Sequence, residues 1–200
     1  MSPLPALVAL PSRTRLCASA FALILGALAG CRSPAGQGPA QPAATDLPPL
    51  RTVARVDLPR YMGDWYVIAN IPYFAEEGKV ATIERYTLRP DGKIDNTFIF
   101  RKESFDAKEQ QWHAVAEVTN PSTNAEWQVQ FFWPFKVEYR VMDLAPDYSW
   151  AAVGHPSRKY FWVLARTPTL DPATYQGILD RAAAQGYDLS EVTKVPQPGS

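Results

Sequence analysis

Eight short runs rich in β-branched and aromatic residues, each closed by turn residues, constrain this chain more than any other feature. The pattern predicts strands over Asp64–Ile71, Val80–Arg89, Ile94–Arg101, Trp112–Thr119, Glu126–Trp133, Val137–Leu144, Tyr148–Gly154 and Lys159–Arg166. Pro90-Asp91-Gly92, Asn120-Pro121-Ser122, Pro134, Ala145-Pro146-Asp147 and His155-Pro156-Ser157 punctuate them. Proline presets φ, glycine supplies positive φ, and Asn, Asp and Ser bond their own backbone, so these are turns with a mechanism. Short, evenly spaced strands joined by short turns predict an antiparallel meander. Eight such strands can close into an up-and-down β-barrel and remove their edges.

One segment departs from period two. Asp171 is a good N-cap, Pro172 fits the first helical position, and Tyr175, Ile178, Leu179 and Ala182 recur at i, i+3, i+4 and i+7. Gly186 suits a helix end. The expectation is therefore an all-β, eight-stranded barrel with one C-terminal α-helix of about four turns packed outside. An extended piece near Glu191–Val195 returns to the sheet.

The N-terminus reads differently. Arg13 and Arg15 precede an apolar run of 14 residues, Leu16 to Ala29. That is a secretory signal pattern, too short for a spanning helix of about 20 residues. Leu28-Ala29-Gly30-Cys31 resembles the bacterial lipobox. The resemblance implies cleavage before Cys31, its diacylation and a lipid-anchored protein. An ordinary signal peptide with Cys31 incidental stays open. Arg32, where retained inner-membrane lipoproteins usually carry Asp, implies the outer membrane of a Gram-negative bacterium, with the domain facing the periplasm.

The organisation is then 1–30 as signal, 31–55 as lipidated cysteine and Pro/Gly-rich tether, 56–196 as barrel domain and 197–200 as tail. Removing the signal takes two arginines and no acid from 20 basic and 20 acidic residues, leaving a net charge of −2. That is no footprint for nucleic acid. Cys17 leaves with the signal, so Cys31 has no partner for an intramolecular disulfide. The domain rests on its core alone.

Gly63-Asp64-Trp65-Tyr66 opens the first strand, Pro146-Asp147-Tyr148 enters the seventh, and Leu164-Ala165-Arg166-Thr167-Pro168 closes the eighth. In order and spacing these resemble the three signature regions of the lipocalin family, over about Val56 to Val195. Val56-Asp57-Leu58-x-Arg60-Tyr61-Met62-Gly63-x-Trp65-Tyr66, Phe131-Phe132-Trp133-Pro134-Phe135 and the Arg166-Thr167-Pro168-Thr169 exit look most like the bacterial outer-membrane lipocalins. The resemblance makes Gly63, Trp65, Asp147, Tyr148 and Arg166 a structural, barrel-closing set. Trp65 would plug the closed end with Arg166 stacked on its indole, a contact that lysine reproduces poorly. Pro146 stands where many lipocalins have Thr.

A barrel of this size encloses one small ligand. Alternation places Thr82, Glu84, Tyr86 and Leu88 on one face of the second strand and Ile94, Asn96, Phe98 and Phe100 on one face of the third. Ala114, Ala116 and Val118, then Trp127, Val129 and Phe131, then Tyr139 and Val141 follow. Glu84, Tyr86, Asn96, Phe98, Ala116, Trp127, Val129, Phe131 and Tyr139 are the candidate ligand contacts; core packing is the alternative for each. Glu84 inside an apolar barrel needs a partner, and Arg101 or Arg140 are candidates, or it orients a headgroup. Tyr73, Phe74 and the Trp133-Pro134-Phe135 turn could form an apolar rim.

The family resemblance implies a binding protein for a fatty acid or lysophospholipid in envelope lipid storage or transport. A structural lipoprotein with a filled barrel, and a carrier of haem or another hydrophobic molecule, are the alternatives. No cysteine nucleophile or Gly-x-Ser-x-Gly motif lies in the domain, and His113 and His155 lack ligand-like spacing. The reading is therefore not an enzyme, with no metal and no cofactor. The partners are a lipid and a membrane, and a homodimer stays open.

Overall fold

In a computed structural model the described residues are 47–199. The expected signal, Cys31 and the tether to residue 46 lie outside them.

The first element among the described residues is α1 (Leu58–Tyr61), a single turn that the sequence pattern did not announce. Asp57 caps it by accepting from the Arg60 amide at 3.2 Å. Eight strands follow: β1 (Gly63–Ile71), β2 (Lys79–Leu88), β3 (Ile94–Lys102), β4 (Gln110–Val118), β5 (Glu126–Phe132), β6 (Phe135–Leu144), β7 (Trp150–Gly154) and β8 (Phe161–Ala165). Each pairs antiparallel with the next, and β8 pairs back with β1, so the barrel is closed. The seventh and eighth strands are shorter than expected at the ends that carry the signature. Tyr148 takes φ +64° and turns, and Arg166 lies just past β8.

α2 (Pro172–Ala183) starts as expected, with the Asp171 carboxylate accepting from the Thr174 amide at 2.9 Å. It stops before Gly186, which takes φ +92° beyond a short turn. Ile178, Leu179 and Ala182 pack outside the barrel on Ala69, Ile71, Met142, Ala152, Phe161 and Val163. The inner faces of the same strands supply Trp65, Val67, Val153 and Leu164 to the interior. Covered on both sides, β8 is buried at all five positions, which is why it reads as a continuous apolar run.

After a 3₁₀ turn (Leu189–Glu191), β9 (Thr193–Lys194) pairs with β1 at Ala69 and Asn70. β1 pairs with β2 only over Gly63–Tyr66, and above that the end of the chain fills the seam. The Ala81 amide donates to Pro196 O at 2.9 Å, and Gln197 Nε2 donates to Val67 O at 2.8 Å and Thr82 O at 3.0 Å. Gln197, read from sequence as the start of a tail, is thus 2 % exposed. A bulge at Ala81 (φ +52°) opens the room for it.

The tether also ends earlier than its composition implied. Arg158 Nη2 donates to Pro48 O at 2.6 Å, the Arg51 amide to Gln185 at 2.8 Å, and the Val53 amide to Val141 O at 3.0 Å. Val56 is fully buried. Residues 48–56 therefore run from the β7–β8 turn toward the end where Trp65 sits, Leu50 packing on the outer cluster and Val53 and Val56 on the inner one.

Candidate functional site

The end of the barrel at Gly63 is built as a plug. Trp65 is fully buried, and its indole Nε1 donates to Tyr61 O at 2.8 Å. The Arg166 guanidinium lies 3.7 Å from the centre of the indole ring. It also donates to Asp64 O and Arg60 O, both at 2.8 Å, and to Tyr61 O at 3.2 Å. Arg166 thus ties α1 to the barrel, a role beyond the expected stacking. Gly63 takes φ +94°, and a Cβ there would meet Arg166 Nη1 at 3.4 Å. Asp147 accepts from the Ser149 amide and hydroxyl, and these bonds hold its carboxyl below the usual range. The Tyr148 hydroxyl accepts from the Asp57 amide at 2.8 Å, with the Arg60 guanidinium 4.0 Å from its ring. All five signature residues meet here, and none of them lines the two cavities described below.

Above the plug, aromatic rings fill the lower barrel. Trp127 and Tyr139 stack with centroids 4.7 Å apart, Tyr61 stands 5.4 Å from Trp127, and the Tyr61 and Tyr139 hydroxyls are 2.8 Å apart. Trp127 and Ala116, expected as ligand contacts, belong to this packed layer. Phe98 stacks on Phe100 in the wall. Leu88, expected inside, is exposed because β2 runs past the plug.

The open space begins higher. A cavity of about 40 Å³ is lined by Glu84, Tyr86, Asn96, Val129, Phe131 and Tyr139, six of the nine expected contacts. Tyr73, Glu76, Trp162 and Leu164 line it too and were not foreseen as contacts. Trp162 and Leu164 were within reach of the alternation on β8. Glu76, in the β1–β2 loop, carries no periodic signal. The cavity has room for a few water-sized groups. It shares Tyr73, Phe131 and Val137 with a cup of about 640 Å³ at the mouth. Phe74, Trp112, His113, Phe135 and Tyr160 complete the cup, a size and lining typical of small-molecule sites. Phe74 and Trp133 are 86 % and 85 % exposed, so the expected apolar rim is present on the surface.

Two carboxyls mark the floor of this space. Glu84 accepts from Asn96 Nδ2 at 2.6 Å. Neither Arg101 nor Arg140, its expected partners, reaches it. Arg101 is drawn to Ala107 O and Glu109, and Arg140 to Glu126 and Glu138. Glu76 accepts from Trp162 Nε1 at 3.1 Å and from Asn70 Nδ2 at 3.1 Å. Burial, the dominant cause, and the nearby Glu84 charge push Glu76 up to about 8. Burial pushes Glu84 up to about 7 against the pull of Asn96. At neutral pH the pair therefore retains about one proton. Among the described residues neither carboxyl has an ion-pair partner, and no group of three or more His, Cys, Asp or Glu is placed to hold a metal ion.

Comparison with known proteins agrees with this architecture. The sequence profile of a lipocalin-like domain matches residues 56–197. The outer membrane lipoprotein Blc of Escherichia coli K12 is 34% identical over 154 residues, covering 76% of this chain and 85% of that protein. Temperature-induced lipocalin-1 of Arabidopsis thaliana is 33% identical over 162 residues, covering 76% and 86%. The solved structure of insecticyanin from the tobacco hornworm Manduca sexta is similar in fold, with TM-score 0.58, 20% identity, and coverage of 74% of this chain and 85% of that one.

Proposed function

This chain belongs to the lipocalin family, whose members generally bind small hydrophobic molecules rather than catalyse reactions, and from that premise we propose that it carries a single-chain lipid. The fatty acids and lysophospholipids are the classes in view, held for storage or transport in maintenance of a bacterial envelope. The observation that carries this reading is the apolar cup of about 640 Å³ opening above a narrow polar floor. It has an apolar wall for a chain and hydrogen-bonding groups at one end for a head. We read the protein as a carrier without catalytic residues, metal or cofactor.

The membrane part of the proposal rests on two further features. The exposed rings of Phe74 and Trp133 surround the mouth, where lipid would enter. Pro48 is fastened to the β7–β8 turn at that same end. A diacylated Cys31 would anchor the protein to the bilayer. The likeness to an outer membrane lipoprotein supports an outer-membrane location facing the periplasm.

A second reading draws on the 40 Å³ of the inner cavity: the barrel is largely filled, as in a structural envelope lipoprotein. Native mass spectrometry with lipid extraction, on the mature protein purified without detergent, separates the two. The carrier reading expects about one lipid per chain. A protein that carries none and binds no long-chain amphiphile refutes it.

A further inference from the structure

The floor of the cavity has an acceptor that the fold does not use. Glu84 is 9 % exposed, and its single hydrogen bond, from Asn96, goes to Oε2. Among the described residues Oε1 has no partner, on a side chain that lines the cavity. Glu76 lines the same cavity and receives only neutral N–H groups, from Trp162 and Asn70. Oε1 is left facing the cavity, and two neighbouring carboxyls that share no ion pair are costly to bury.

Aromatic rings stand at the junction between this floor and the cup. The centroid of Tyr73 is 5.8 Å from that of Tyr160 and 6.5 Å from that of Trp162, and Tyr160 is 6.5 Å from Trp162. Three rings so grouped over two carboxyls form an environment that attracts a cation by ring quadrupole and by charge. Lys79 acts on Glu76 through its charge but forms no ion pair with it, and its Nζ lies against two rings, 4.2 Å from the Phe100 centre and 4.5 Å from that of Trp112. No protein cation occupies the spot among the described residues.

We propose that the Glu76–Glu84 floor selects single-chain amphiphiles with a primary ammonium head, bound head-down with the chain in the apolar cup. This deepens the carrier reading and rests on it. The 40 Å³ of space suits a small –NH₃⁺ group better than a bulkier head. The ammonium supplies three donors to acceptors that lack them and replaces the proton that the carboxyl pair otherwise keeps. A fatty-acid carboxylate in the same place would meet Glu76 and Glu84, neither of them in an ion pair among the described residues. The apolar end of a chain would leave Glu84 Oε1 unpaired. The other titratable groups lining the cavity are Tyr73, Tyr86, Tyr139 and Glu138, the last ion-paired with Arg140 at 2.6 Å.

The test is titration of the purified protein at pH 7.5 with dodecylamine, dodecanol and dodecanoate, read by tryptophan fluorescence and checked by calorimetry. Dodecylamine should bind roughly tenfold or more tighter than either of the others. Glu84→Gln and Glu76→Gln should each remove about that factor for the amine and weaken dodecanol far less, with thermal unfolding showing that the variants fold. Dodecanoate binding as tightly as the amine, or amine affinity indifferent to both substitutions, overturns the proposal and leaves the carrier reading standing. Failure of all three compounds overturns both.

Discussion

Burial of Glu76 makes a quantitative demand on stability. Its carboxyl ionises near 4.5 when ordinarily solvated and near 8 in the folded protein. The folded state therefore holds the proton more tightly than the unfolded chain. The protein has its full stability below pH 4.5 as far as this group is concerned, and loses it as pH rises toward 8. With those two values linkage gives a loss of roughly 3 kcal/mol by pH 7 and about 5 kcal/mol above pH 9. Glu84, raised to about 7, acts in the same direction. His155, held low by burial, acts oppositely below pH 7, because the unfolded chain takes up its proton more readily. Comparison with Glu76→Gln isolates the one group, since the amide keeps the shape and can still accept from Trp162 or Asn70. Urea unfolding from pH 5 to 9 should show the wild type losing several kcal/mol relative to the variant, with the two converging near pH 5. Curves that stay parallel across this range would refute a buried, uncompensated carboxyl at position 76.

Three further substitutions test the frame that holds the site. Arg166→Lys should lower stability by about 2–4 kcal/mol by thermal unfolding, because lysine cannot stack on Trp65 and reach three carbonyls at once; an unchanged Tm sinks that role. Gly154→Ala puts a Cβ 2.1 Å from the Tyr187 hydroxyl and 2.4 Å from Met142 Sδ, and should cost about 1–3 kcal/mol. Retention of wild-type stability would mean that the Tyr187 contact is dispensable. Gln197→Ala leaves Val67 O and Thr82 O without their donor and should cost about 1–3 kcal/mol. Amide exchange should rise at the adjoining parts of β1 and β2, and exchange unaltered there would contradict the seam.

Much of the barrel is legible in the sequence because each strand declares itself twice, by its β-rich run and by the turn that stops it. The helix is legible for a like reason, its cap and apolar stripe being local. What the sequence hides depends on closure. Glu76 sits in a loop, and its burial arises because Asn70 and Trp162, opposite each other across β1 and β8, bring their N–H groups to one point. Gln197 reads as a polar tail residue, yet the Ala81 bulge leaves a gap that its amide fills. Residues 48–55 have a tether's composition, but proline and small residues also suit a segment laid along a wall. The alternation on β2 placed Glu84 correctly. It could not tell whether an arginine would turn inward, and both candidates found carboxylates nearer water.

The same contacts show why two glutamates at the floor are more than packing. Glu84 and Asn96 lie diagonally on β2 and β3, strands already paired through Glu84↔Phe98 and Tyr86↔Asn96. Glu76 binds Asn70 and Trp162, which face each other in an existing ladder. Glu84 joins strands that are already paired, Glu76 holds the β1–β2 loop to β1 and β8, and neither is in an ion pair among the described residues. Apolar residues of similar volume would fill the space without the desolvation that raises both groups. At Glu84 a stability cost that gains the fold no new connection is better explained by what the floor binds than by what it supports. The contrast with the plug sharpens the point. There Arg166 is just as unusual for a barrel end, but every one of its bonds fastens α1 or a neighbouring loop to the strands.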